Sequence, residues 1–452
     1  MEPSNDRFEE TDMRRKYPLI LPIAGVLSAW LPALGQNAAE EASARRWSIH
    51  FQATSIGQHH GVFRSLYEGP NSLPPHPENR VSLTTTLFLA YRANSWTELV
   101  VNPEMAGGEG FGQVTGIAGF TNGEIARVDR STPTLYPARA FIRNTWAIGP
   151  ERQAAEDGPN QLGGIAPVRR FTLITGKFAI TDYFDYNSYS HDPRRQFINW
   201  SLMSNGAWDY PADTRGYTIG SLQELTMRNW SLRTAAVMEP TEANGSRFDT
   251  RLAKNRGVAV EWENRYQPLG HGGAVRMIGF LNRERAGTFR SAVLPDGTTD
   301  LAATRRPGSK RYGFGVNAEQ EITADIGVFA RYGWSDGKTE AWAFTQIDRS
   351  VSGGVSVQGR PWRRSGDRIG IATVRNYLSG DHRRFLAAGG TGFIIGDGRL
   401  NYQPESIIEA YYAWHAAREW TLTFDYQHVA NPAYNRDRGP VSAASFRIHW
   451  ER

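Results

Sequence analysis

The sequence predicts an all-β fold, a transmembrane antiparallel β-barrel of about sixteen strands, from three observations. Apolar residues recur with a period of two over nearly the whole chain after residue 47. Many of the alternating segments are near ten residues long, the length of a tilted strand that crosses a bilayer. Short turns join some segments and long Gly/Pro-rich stretches join others, as in a barrel with one short-turned end and one long-looped end.

The first feature in chain order is an address. Arg14-Arg15-Lys16 precede the one long apolar run, Tyr17 to Leu34, which ends in Ala33-Leu34-Gly35-Gln36. A basic start, an apolar core and small residues at the exit describe a secretory signal peptide over 1–35, with cleavage after Gly35. Pro18, Pro22 and Pro32 argue against a stable spanning helix in its place. Met13 is a second candidate start, since the twelve residues before it are acidic and polar. A short segment, 36–46, leads to the barrel domain, 47–452.

Within that domain the stripes follow one another. Trp47, Ile49, Phe51 and Ala53 interleave with Ser48, His50, Gln52 and Thr54. Leu83, Leu87, Leu89 and Tyr91 form the next face. Ile326, Val328, Ala330, Tyr332 and Trp334 form an unbroken one, as do Trp420, Leu422, Phe424 and Tyr426, and finally Phe446, Ile448 and Trp450. The expected strands fall near 47–55, 81–93, 96–103, 138–149, 169–180, 216–226, 230–239, 257–265, 273–283, 310–322, 325–335, 344–358, 367–376, 406–415, 419–428 and 442–450. A soluble β-sandwich would alternate too, but many of these stripes end in Tyr or Trp, as the interfacial girdles of a membrane barrel require. One segment departs from the period: Arg194 to Asn205 reads as a short helix or ordered loop folded over or into the lumen.

Composition narrows the function classes. The 452 residues contain no cysteine, so disulfide scaffolds, thiolate metal sites and cysteine nucleophiles are excluded. The 21 Phe, 18 Tyr and 14 Trp are too many for a disordered chain. A single apolar run excludes a polytopic helical protein. The net charge of +5 does not suggest a nucleic-acid binder. Five lysines among 51 basic residues leave arginine dominant.

No chemical motif stands out. Gly107–Gly112 and Gly389–Gly398 match neither dinucleotide-loop nor P-loop spacing and read as barrel loops. His59-His60 has no companion ligands at metal-binding spacing. Asp182, Asp185 and Asp192 with their neighbouring tyrosines form a polar, aromatic cluster; a calcium or sugar contact and a hydrogen-bonded loop are both open readings. No Ser/His/Asp set has a nucleophile elbow, and neither a cofactor nor a metal is expected. More informative are charges on the faces opposite the lipid stripes: Arg92, Glu98, Arg139, Arg143, Arg170, Glu261, Glu263, Arg331 and Arg447. On the lipid face an Arg near the bilayer midplane costs about 2–4 kcal/mol, so these residues are expected to line water. The planar Arg fork can hydrogen-bond paired sugar hydroxyls, and Phe88 and Phe141 can offer flat faces to a sugar ring.

Several segments, taken in order, carry a family likeness. They are Gln52 to Leu73 (with Phe63-Arg64-Ser65-Leu66-Tyr67-Glu68-Gly69-Pro70-Asn71), Asn102-Pro103-Glu104, and Gly116-Ile117-Ala118-Gly119-Phe120-Thr121-Asn122-Gly123-Glu124. Ala138-Arg139-Ala140-Phe141-Ile142-Arg143, Gly176-Lys177-Phe178 and Asp182 to Asn187 follow, then Gly396 to Tyr402 and Asn431 to Pro440. The chain resembles the carbohydrate-selective porins of the OprB type from Gram-negative outer membranes, over about residues 47 to 450. The resemblance implies passive, substrate-selective diffusion of mono- and small oligosaccharides into the periplasm through a narrowed, arginine-rich pore. It places the constriction on Arg92, Arg139 and Arg143, with Glu98 and Glu104 as acidic partners; Arg170, Glu261 and Glu263, inward by strand parity, are expected as secondary lining residues. It implies outer-membrane lipid and sugars as partners, no nucleic acid, no enzymatic activity, and a homotrimer as the assembly to test. The ending Trp450-Glu451-Arg452 departs from the usual aromatic last residue of such barrels, so either an insertion signal two residues inward or less efficient insertion is expected. The rival from another class is an exported structural or adhesive β-protein without channel activity.

Overall fold

The computed structural model describes residues 46–126 and 131–452. The expected signal peptide, and the segment 36–46 apart from its last residue, lie outside the described residues. The strands in chain order are β1 (Trp47–His60), β2 (Glu78–Arg92), β3 (Thr97–Gly108), β4 (Thr134–Ala147), β5 (Arg152–Ala155), β6 (Gly164–Pro167), β7 (Arg170–Phe178), β8 (Thr218–Thr226) and β9 (Trp230–Val237). They continue with β10 (Arg256–Tyr266), β11 (Gly273–Glu284), β12 (Ser309–Thr323), β13 (Ile326–Ser335), β14 (Arg349–Gln358), β15 (Arg368–Tyr377), β16 (Glu405–Ala417), β17 (Trp420–Ala430) and β18 (Val441–Glu451). All except β5 and β6 form one closed antiparallel barrel, sealed where β1 pairs with β18, and β5 and β6 make a separate two-stranded hairpin. Each of the sixteen expected strands has its counterpart in the barrel.

Closure follows from the side-chain pattern. Along β13, Val328, Ala330, Tyr332 and Trp334 face outward, while Phe329 and Arg331 are buried inside. The outward residues include Ile49 at 63 % and Phe424 at 59 % exposure, which only a lipid environment makes favourable. Aromatics mark both rims. Trp47 and Tyr91 meet with ring centres 4.4 Å apart at the short-turn end, where Trp420 and Trp450 also pair, and Tyr312 meets Trp334 at the other end. The last residue still pairs: the Phe51 N–H donates to the Arg452 carbonyl at 2.8 Å, and the Arg452 N–H returns the bond at 2.9 Å. Among the described residues no helix is long and apolar enough to cross a membrane.

The barrel is half filled. The connection from β7 to β8, 179–217, folds inward and carries a short helix, α1 (Trp200–Met203), whose Asn199 cap accepts from the Ser201 N–H. This bears out the inserted reading of Arg194–Asn205. Asn205 packs against Gly315 and Gly333, which face each other on β12 and β13; a Cβ at either glycine would meet the Asn205 amide at 2.2 or 1.9 Å. Two more short helices, α2 (Phe289–Ala292) and α3 (Gly380–Ala387), pack on each other at the long-loop end. Together the loops bury Phe184, Phe197, Trp208, Phe344, Ile347 and Ile395 in an apolar core inside the barrel.

Two expectations change. The strand expected over 344–358 begins at Arg349, because Phe344 and Ile347 are apolar for the internal loop core rather than for the lipid. The β5–β6 hairpin was not foreseen, since its strands are only four residues each, too short for alternation to show.

Candidate functional site

The main cavity, about 1090 Å³, follows one side of the barrel. Its wall residues come from β1–β4 (Gln52, Thr84, Phe88, Glu104, Tyr136, Arg139) and from β14–β18 (Gln358, Arg368, His415, Thr421, His449). Among the described residues, β7–β13 contribute none of its lining, because the inserted loops fill that half.

The densest set of polar side chains on the cavity wall lies where the 179–217 loop meets β3 and β4. Glu104 on β3 is 3 % exposed. It accepts from Thr86 Oγ1 at 2.6 Å, from the Tyr217 hydroxyl at 2.8 Å, from Arg194 Nη2 at 3.2 Å and from the Tyr136 hydroxyl. Arg194 also donates to Glu124 at 2.8 Å, so one loop arginine bridges two acids. Burial works against the Arg194 charge, but Glu124 and Glu104 hold its pKa well above the ordinary value. Burial, then the Glu104 charge, push the Tyr217 hydroxyl well above its usual range, so it remains a donor. Arg139 grips Asp182 through Nε and Nη2, both at 2.6 Å, and its guanidinium lies 5.3 Å from the Tyr217 ring centre. Arg215 sits 4.0 Å over the Tyr136 ring. The result is a cluster of fixed donors, acceptors and aromatic faces at the cavity wall.

The other sequence-nominated residues are placed differently. Arg92 and Arg143 share Glu98, at 3.1 and 3.2 Å. The hairpin folds over this triad: the Asn160 carbonyl accepts from Arg143 at 2.9 Å and the Gly163 carbonyl from Arg92 at 3.4 Å. Pro159 and Asn160 line the cavity, so the triad supports its short-turn end from behind. Glu261 and Glu263 belong to a wall ladder with Arg233, Arg276 and Glu319, on the loop-filled side. Glu261 also accepts the Asp185 N–H at 2.7 Å, fastening the inserted loop. Arg170 donates to the Pro167 carbonyl at the hairpin base. Thus Glu104 and Arg139 reach the cavity, and Arg92, Glu98, Arg143, Arg170, Glu261 and Glu263 do not line it directly.

Arg194, Tyr136, Tyr217 and Arg215 escaped the sequence reading. Arg194 and Arg215 lie in the loop, where strand parity assigns no face, while Tyr217 fell in the expected strand 216–226 and Tyr136 just ahead of the one expected over 138–149. Asp182 had been marked only as part of its polar, aromatic cluster.

A closed sixteen-strand barrel with an apolar outer band, a charged lumen and a loop folded into it is a porin of the bacterial outer membrane. The family model described as "Carbohydrate-selective porin, OprB family" matches residues 92–451, and the chain belongs to that family. The fold is similar to OprB of Pseudomonas putida, at 16% identity over 90% of this chain and 94% of that one, with a TM-score of 0.67. It is also similar to the outer-membrane channel DcaP of Acinetobacter baumannii, at 9% identity over 91% and 98% of the two chains, with a TM-score of 0.51. No curated protein matches the chain. The protein is therefore an outer-membrane porin for carbohydrates, and its family and fold are those of a channel.

Proposed function

We propose that sugars pass this porin along the β1–β4 side of the lumen and are selected at the cluster of Glu104, Arg139, Asp182, Arg194, Tyr136 and Tyr217. The observation that carries the reading is the convergence of Arg194 and three hydroxyls on the buried Glu104 carboxylate, beside the Arg139–Asp182 pair. Such a cluster offers rigid hydrogen bonds for hydroxyls leaving water, and aromatic faces for the sugar's C–H surface. A cavity of about 1090 Å³ admits a mono- or small oligosaccharide together with its water. Arg92, Glu98 and Arg143 act one layer out, setting the charge and the height of the hairpin at the short-turn mouth. Arg170, Glu261 and Glu263 shape the lumen through the hairpin base and the loop-bearing wall. Transport is passive, so binding at the cluster is weak.

The test is liposome swelling across mono- and disaccharides, comparing the natural chain with Arg139→Ala and with Arg139→Ala/Arg143→Ala. The proposal requires blunted discrimination and increased cation leak in both variants. Unchanged sugar rates in both would move the selective cluster elsewhere.

We further propose export by the 1–35 signal peptide, with Gly35 as the last residue removed, which the mass of the mature protein tests. A homotrimer is the proposed assembly. It is supported by a polar patch on the lipid-facing wall, where Thr234 donates to Gln223 at 2.9 Å and Gln223 to Ser221 at 2.8 Å. Polar side chains at membrane depth favour a protein neighbour. Gln223→Cys would then give disulfide-linked or probe-shielded protomers, and free labelling of that cysteine from lipid would argue for a monomer.

A further inference from the structure

Beneath the long-loop mouth, on the loop-filled side, two carboxylates have no donors. Glu239 stands just beyond β9, and Glu284 ends β11. They are 0 % and 1 % exposed, and none of their four oxygens has a hydrogen-bond partner. Between them runs β10, whose Gly257 pairs with Val237 on one side and Asn282 on the other. Glu239 and Glu284 lie two residues further along the same neighbouring strands. The missing side chain at Gly257 makes room: a Cβ there would stand 2.9 Å from Glu239 Oε1 and would collide with Pro211 of the inserted loop.

A third buried oxygen nearby also lacks a partner. Asn282 is 1 % exposed and lies alongside Glu284. It gives its amide N–H to the Asp209 carbonyl at 2.5 Å, which leaves its Oδ1 without a partner.

The surrounding charges do not neutralise the pair. The groups that act on Glu239 are Glu284 and Asp209, both acidic, and those that act on Glu284 are Asp209, then Arg311, the Asn282 amide and Glu340. Arg311 is already engaged, at 3.0 Å from Asp348 and 3.7 Å from Asp209. Glu340 has its own partner in Arg305. Asp209 accepts three backbone N–H groups, from Trp342, Ala343 and Phe344. Two buried carboxyls therefore remain without a cation to balance them, next to a residue whose amide oxygen is uncommitted. Buried charges of this kind are paired or coordinate metals.

We propose that Glu239, Glu284 and Asn282 Oδ1 bind a hard divalent cation, calcium by donor type, which ties β9 and β11 to the loops above them. All donors are oxygens, the set that suits calcium or magnesium rather than zinc. Carboxylates that can bind through one or both oxygens, with water completing the shell, suit the looser geometry of calcium. No group of three or more His, Asp or Glu among the described residues is arranged to hold a metal, so this site takes two carboxylates and an amide.

Terbium, a calcium mimic, provides the probe, because Trp342 lies within antenna reach: its indole N–H donates to the carbonyl of Pro240, next to Glu239, at 3.0 Å. The full chain, folded in detergent and stripped with chelator, should show tryptophan-sensitised terbium emission that calcium displaces. Glu239→Gln and Glu284→Gln should each weaken that binding by at least about tenfold, while Asp296→Asn on an exposed loop leaves it unchanged. Heat-modifiable gel mobility reports that each variant is folded, and Glu239→Gln alone decides if the others fail to fold. In parallel, calcium should raise the unfolding temperature of the natural chain and not that of the Glu239→Gln/Glu284→Gln variant. Terbium emission that persists unchanged in Glu239→Gln overturns the site. So does a natural chain indifferent to calcium whose double variant is more heat-resistant, since that result means the two carboxyls share a proton instead.

Discussion

Arg139 on β4 and Asp182 on the inserted loop meet as a two-pronged pair, with Nε to Oδ2 and Nη2 to Oδ1 both 2.6 Å. The residues are 43 positions apart, and both line the cavity. The pair joins the barrel wall to the loop that narrows it, and the guanidinium's planar fork fixes the angle as well as the distance.

Asp182→Asn leaves the Arg139 charge facing the lumen without its counter-charge. The pore should become more anion-selective. Reversal potentials in planar bilayers under a potassium chloride gradient measure this, and an unchanged potential would show that the pair does not face the ion path.

Glu104→Gln removes the charge on which Arg194, Tyr217, Tyr136 and Thr86 converge. Breaking one partner of a buried ion pair typically costs about 3–5 kcal/mol, so the loop should loosen while the barrel stays closed. Swelling assays should show faster passage with less difference between sugars. Heat-modifiable mobility should be retained.

Arg447, 1 % exposed, donates to the carbonyls of Pro193 at 2.6 Å and Gln196 at 2.8 Å. Arg447→Met keeps much of the volume and leaves both carbonyls unpaired, at about 1–3 kcal/mol each. The loop segment 193–196 lines the cavity, so its release should raise single-channel conductance and its noise. Conductance equal to that of the natural chain would show that the other fasteners suffice.

Asp348 gathers the long-loop end: it accepts from Arg311 at 3.0 Å and from the Ser379 N–H at 2.8 Å, and lies 3.0 Å from His382 Nδ1. Burial opposes its charge, but His382 and then Arg311 more than offset this and hold the carboxyl well below its usual range. A group depressed in the folded state contributes stability above its unfolded pKa, near 3.9, and loses it as pH falls toward the folded value. The loops should therefore stay protease-resistant from neutral pH down to about 4 and open below that. Asp348→Asn should be more open at neutral pH and lack this acid transition. The readout is limited proteolysis of the 336–348 and 378–404 segments against pH.

The barrel was legible because a lipid-facing strand must alternate, and alternation survives in the sequence without any partner being known. Ile326 to Trp334 and Trp420 to Tyr426 announce their strands and their outer face directly. The family likeness drew attention to Glu104 and Arg139, which the fold brings to the cavity. The 344–358 segment misled because Phe344 and Ile347 are apolar for a core inside the barrel, which a lipid stripe imitates.

Parity distinguishes outward from inward and no more. Arg139, Arg331 and Arg447 all read as inward, yet Arg139 lines the cavity, while Arg331 holds loop carbonyls on the filled side and Arg447 holds the back of the 193–196 segment that lines the cavity. The sequence by itself determined the strand count, the lipid face and the inward position of the charges, since each depends only on local period and on the cost of charge in hydrocarbon. The tertiary structure alone decided which inward charges meet water, because that depends on where 179–217 folds. Its path is set by contacts such as Asn205 against Gly315 and Gly333, which join residues more than a hundred positions apart.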